Sequence, residues 1–191
     1  MSTIQMVPVP AARRSPTALI PLVLVGAAVS VGLGVYGREH TPAGRGIFTL
    51  GFPAVINMKA WLTTIALALA VFQVLTALRM YGKLPGPTTV PRWLPHVHRW
   101  AGTAAFVATL PVAYHCLWSL GYQSTDARHV VHSILGCAFY GAFTVKVLCV
   151  RSTRLPNWAL PVVGGLTFTI LVVLWLTSAL WFIHHHGFPS A

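Results

Sequence analysis

Five stretches of the chain run for about twenty residues almost without charge, the length an α-helix needs to cross the hydrocarbon of a bilayer. They are Thr17–Gly37, with Leu19–Tyr36 as its core, then Ala60–Leu78, Trp100–Leu120, Val130–Val150 with one interior lysine, and Leu160–Ile183. The connections are short and punctuated by proline and glycine, as in T-P-A-G-R-G and G-K-L-P-G-P-T-T-V-P-R, and none could hold a folded domain. The pattern predicts an all-α, polytopic membrane bundle: a tail over 1–16, a membrane domain of five transmembrane helices over 17–186, and a second tail over 187–191. The first span starts late, runs long and is followed by no small-residue cleavage site, so it is expected to stay as a membrane helix rather than act as a secretory signal.

Composition sharpens this picture. Hydrophobic residues make up 55% of the chain and charged residues 8%, which excludes a soluble surface of ordinary polarity and excludes disorder. Thirteen basic residues against two acids give a formal net charge of +11. That excess does not point to nucleic acid, because most of it lies between the spans, where anionic lipid heads and the positive-inside bias account for it. Arg13, Arg14, Arg79, Lys83, Arg92, Arg99, Arg151 and Arg154 fall on one side; Arg38, Arg45, Lys59 and Arg128 fall on the other, with both acids, Glu39 and Asp126. The bias predicts a cytoplasmic N-terminus and an extracytoplasmic C-terminus.

Several chemistries drop out. The chain has no C-x-x-C-H, no phosphate loop, no dinucleotide fingerprint and no nucleophile elbow. Cys116, Cys137 and Cys149 lack zinc or iron–sulfur spacing and read as small apolar fillers. With only two acids, a carboxylate-driven transporter has little to work with. Catalysis by this chain alone is not expected.

The nine histidines carry the chemical information. His115, near one end of the third span, and His132, near the start of the fourth, are separated by a short turn. Antiparallel neighbours would bring both imidazoles to a similar depth, where they could grip one iron from opposite faces or hydrogen-bond as ordinary membrane packing. Gly136, one turn from His132, would leave room for a porphyrin edge, and Ser119 would do the same beside His115. Tyr114, Trp118 and Tyr122 could line such a pocket, and Pro111 should kink the third span. At the opposite end His98 heads a second His-x-x-x-Gly unit with Gly102, about 25 Å from His115 along a straight helix. Its counterpart on span four is Lys146, about 21 Å from His132, suited to an anion or to snorkelling. Met80 is the one obvious axial alternative there. His129, three residues before His132, could contact a propionate or a partner. His184, His185 and His186 read as an interfacial cap, His96 as interfacial and His40 as solvated.

H-S-I-L-G at the head of span four and H-R-W-A-G at the head of span three resemble motifs of the ascorbate-reducible and ferric-reductase-like membrane cytochromes b. The stretch from His98 to Gly165 is also similar to small membrane proteins of high-GC Gram-positive bacteria. The resemblance implies a bacterial plasma-membrane electron-transfer subunit with non-covalent b haem on His115 and His132, and a second haem if His98 finds a partner. Its partners would be a quinone, an extracytoplasmic cytochrome or iron–sulfur protein, or a larger respiratory complex, with lipid around it. Lys146 and the lack of histidine in span two depart from the two-haem pattern. Two other classes stay open: a cofactor-free scaffold or anchor subunit of a respiratory complex, and a transition-metal permease.

Overall fold

The computed structural model describes residues 14–86 and 89–190; Arg13 and most of the expected 1–16 tail lie outside the described residues. Among the described residues five helices are long and apolar enough to cross a membrane: Pro16–Glu39, Val55–Met80, Leu94–Leu120, Ala127–Arg151 and Ala159–His186. The protein is therefore an all-helical, multi-pass membrane protein. We call the regular helices α1 (Leu19–Glu39), α2 (Val55–Met80), α3 (Leu94–Tyr114), α4 (Ala127–Arg151) and α5 (Ala159–Trp175).

Two of these helices end in wider π turns. α3 passes into one at His115–Leu120, and α5 passes into another at Leu176–Leu180 before a last short helix, α6 (Trp181–His186). Pro111 sits inside α3 just before the first. Having no N–H, it removes a bond from the ladder one turn ahead of the change in winding. Both π turns fall at the same end of the bundle, which also carries His115 and His132; we call it the histidine-rich end. The other is the arginine-rich end.

The helices do not pack as a simple ring of sequence neighbours. α2 packs broadly on α3, α1 on α4, and α4 on α5, with a smaller α2–α5 contact. α3 and α4 are joined by one short turn, yet neither is the other's main partner. They meet toward the middle, where Phe106 stacks on Phe143 at 4.1 Å and the Tyr140 hydroxyl donates to the Thr109 carbonyl at 3.1 Å. The expectation that these two helices form a close antiparallel pair is corrected here, because α3 packs mainly on α2, and α4 on α1 and α5.

Glycine decides the α1–α4 contact. A side chain at Gly26 would stand 2.7 Å from the Gly141 carbonyl oxygen, and one at Gly141 would overlap Ser30 and the Gly26 carbonyl. Small residues let membrane helices approach closely enough for dispersion forces to hold them where no hydrophobic effect does. Gly37 is likewise buried, but Gly32 of α1 meets nothing within 4 Å.

Candidate functional site

Between α2, α3, α4 and α5, at the histidine-rich end, lies a cavity of about 350 Å³. This is toward the lower end of the roughly 300–1,000 Å³ typical of small-molecule sites. Its walls are mostly apolar, including Leu33, Val112, Leu171 and Leu174, and Tyr140 lines its deep end. His132 lies eight residues before Tyr140 on α4, so the cavity runs about 12 Å along that helix. Gly136 lies between them, and a side chain placed there would meet nothing within 4 Å. The room expected beside His132 is open.

Hydrogen bonding settles the state of the His132 ring. The Thr177 hydroxyl donates to the Val173 carbonyl at 2.8 Å, so its oxygen is left to accept at 3.0 Å from His132 Nδ1–H. The proton is therefore on Nδ1, and Nε2 keeps a lone pair. The π turn containing Thr177 sets this contact. The same turn supplies the Thr177 carbonyl, which accepts from Arg128 at 2.9 Å. Arg128 also donates to His129 Nε2 at 3.0 Å and lies 4.1 Å from the Trp181 ring centroid. His129 in turn donates from Nδ1 to Asp126 at 2.8 Å. Asp126 caps α4 by accepting the His129 backbone N–H at 2.9 Å. That bond, followed by the His129 ring, holds the Asp126 carboxyl below its ordinary range. His129 is thus a link between Asp126 and Arg128.

His115 is 1% exposed. Its Nδ1–H donates to the Pro111 carbonyl at 3.2 Å, which again leaves Nε2 as an acceptor, and that nitrogen is buried without a hydrogen-bond partner. It does not face the main cavity. It lines a second one of about 270 Å³, formed with Arg45, Gly46, Val55, Lys59 and Ser119. Ser119 donates to the Arg45 carbonyl at 2.8 Å, so it ties down the 44–46 loop rather than leaving space for a ring edge. Phe48 packs edge-on against His115 at 4.7 Å. Thus His115 and His132 share an end of the bundle but line different cavities. Each has the ring tautomer of a ligand, but no single space in this arrangement lies between the two. Among the described residues no group of three or more His, Cys, Asp or Glu side chains is placed to hold a metal ion.

The second His-x-x-x-Gly unit differs. At the arginine-rich end, His98 Nδ1 bonds the Thr76 hydroxyl at 2.7 Å, and Gln73 donates to the His98 carbonyl. Lys146 donates to the Gln73 side-chain oxygen at 3.5 Å. A side chain at Gly102 would stand 2.8 Å from that same oxygen, so the space beside His98 is filled by Gln73 of α2. Lys146 points into a polar cluster of this chain rather than snorkelling. Met80 lies one turn beyond Thr76 on α2.

Tyr122 lines the main cavity, while Tyr114 and Trp118 stack on each other at 5.6 Å. His40 is half-buried, stacked on Tyr36 at 5.0 Å rather than solvated. His96 and His184 to His186 are exposed. The sequence reading counts Lys59 only as a charge between spans and passes over Gln73 and Thr177. Lys59 could have been noticed as a cation in the opening turns of an apolar span; the other two look like ordinary polar residues of a membrane helix.

The fold and this end of the bundle define a five-helix membrane protein with a largely apolar cavity lined by histidine and lysine. The chain belongs to DUF6529, a family of unknown function, which it matches over residues 18–190. No curated protein and no solved structure matches it.

Proposed function

We propose that the chain is a scaffold or anchor subunit that packs, within the membrane, against a larger respiratory complex. The observation that supports this is α1. It packs broadly only on α4, and Ile20, Leu24, Val31 and Val35 are exposed around a bare Gly32. An outer helix with a smooth small-residue position is suited to close contact with another membrane helix. The charge bias places its N-terminus in the cytoplasm. Extraction in a mild detergent followed by native electrophoresis tests this: the wild type should migrate within a larger assembly and Gly32→Leu as a lone chain. Wild type migrating alone under the gentlest extraction would end the reading.

A second reading, electron transfer through b haem to a quinone or to an extracytoplasmic cytochrome or iron–sulfur protein, is favoured by the imidazole tautomers. His115 and His132 both hold the proton on Nδ1 and present Nε2, as iron ligands do. Haem, when bound, would supply one-electron chemistry. This reading requires α3 or the 44–46 loop to shift so that both nitrogens reach one space. A reduced-minus-oxidised spectrum with haem quantification, repeated on His115→Ala and His132→Ala, separates it from the scaffold reading. No stoichiometric haem in wild type leaves the scaffold alone.

A further inference from the structure

Two cations, Lys59 and Arg128, line the main cavity, and no acid does. Lys59 is half-buried and lines both cavities. The chain has two acids in all. Asp126 is bound to His129 at 2.8 Å, and Glu39 is exposed at the end of α1; neither lines either cavity. Arg128 is already engaged by the Thr177 carbonyl, His129 and the Trp181 ring. Among the described residues the Lys59 ammonium is left with no acid beside it, on a largely apolar cavity. A carboxylate brought in from outside would give it a counter-charge.

The rest of the chamber suits a chain rather than a second polar group. Below the level of His132 its walls are Gly136, Val112, Leu171 and Leu174, and it runs about 12 Å along α4 toward Tyr140. Tyr140 is itself satisfied, donating to Thr109 at 3.1 Å, so the deep end asks for no polar partner. We propose that this cavity binds a single-chain fatty acid, its carboxylate on the Lys59 ammonium and its alkyl chain lying past Gly136 toward Tyr140. A singly charged carboxylate matches the Lys59 ammonium, which no acid among the described residues pairs; a charged ammonium–carboxylate bond is stronger than one between neutral groups. The inference goes beyond both functional readings, since neither assigns a ligand to Lys59.

Trp175 and Trp181 line the cavity and provide the readout. With the full-length protein in a neutral maltoside detergent, brominated decanoate, whose chain of about ten carbons matches the length of the cavity, should quench tryptophan fluorescence saturably, and its methyl ester should quench only to the level set by partition into detergent. Replacing both Trp175 and Trp181 by Phe should remove the saturable part. Lys59→Gln should weaken binding roughly tenfold or more, the loss expected for a charge-assisted bond, and Lys59→Arg should keep it. Gly136→Leu should abolish it by filling the chamber. Equal quenching by acid and ester would overturn the proposal on wild-type protein alone, whether or not a variant folds. So would unchanged binding in Lys59→Gln, saturable quenching that survives loss of both tryptophans, or displacement of the acid by a neutral short-chain quinol at lower concentration than by unlabelled decanoate.

Discussion

The two His-x-x-x-Gly units are nearly identical as text and opposite as structure. At His132 the glycine opens onto a cavity; at His98 the Gly102 space is occupied by the Gln73 side chain. In both, a threonine on a neighbouring helix accepts from the imidazole Nδ1–H, Thr177 in one case and Thr76 in the other. What differs is whether a side chain fills the gap. Gln73 reaches from α2 into the gap beside His98, while beside His132 α3 and α4 stand apart and nothing fills the space. A glycine one turn from a histidine therefore shows only that a side chain is missing. Whether the vacancy is a site depends on what the neighbouring helix puts there.

Substitution at the two glycines should break the symmetry most strongly. Gly102→Leu must displace Gln73 and with it the bonds to His98 and Lys146, so a loss of about 3 kcal/mol is expected, at the upper end of overpacking costs. Gly136→Ala meets open space, and the gain in helix propensity should leave stability unchanged or higher by up to about 1 kcal/mol. Thermal unfolding of the two variants in one detergent makes the comparison. Similar losses in both would mean that the cavity at His132 closes in solution.

Gln73→Leu should come next, costing about 1–3 kcal/mol because it leaves the His98 carbonyl and the Lys146 ammonium short of partners. The double variant Gln73→Leu, Lys146→Leu should recover part of that loss, since removing both polar groups avoids an orphan. If the double variant is no better than the single one in urea or thermal unfolding, the two side chains are not coupled.

At the deep end of the open cavity, Tyr140→Phe removes the bond to Thr109 and should cost about 1 kcal/mol. Hydrogen exchange at α3 amides near Thr109 should quicken if that bond holds α3 to α4. The smallest effect belongs to Asp126. Its folded-state carboxyl titrates below its ordinary value because the His129 N–H and ring stabilise the charged form. The cap therefore contributes fully above about pH 4, the unfolded carboxylate range, and its contribution is lost as pH falls through the lower folded value. Asp126→Asn should flatten that acid limb of a stability–pH profile and leave the neutral region nearly unchanged.

Much of the architecture was legible because hydropathy is a local property. Five uncharged windows, each long enough to span hydrocarbon, predict five helices whatever their neighbours do. The structure places a π turn inside the third and the fifth window, begins the second five residues earlier, at Val55, and begins the third six earlier, at Leu94. Pro111 announced the first change in winding, and Gly136 announced room on one face of α4. Burial of His115 was suggested by its place in an apolar span, but its direction was not: the ring turns toward Gly46 and away from the cavity that His132 lines.

The sequence by itself thus determined the class of protein and the number of crossings. It could not determine which helices touch. In a bilayer, nearly every helix face is apolar, so hydrophobic pattern carries little information about partners, and contact is decided by shape where small residues such as Gly26 and Gly141 meet. Only the tertiary structure placed Gln73 beside His98, left the space beside His132 open and put two imidazoles at one end of the bundle into separate chambers. These outcomes depend on side chains from helices distant in sequence, and a pattern read along one helix has no access to them.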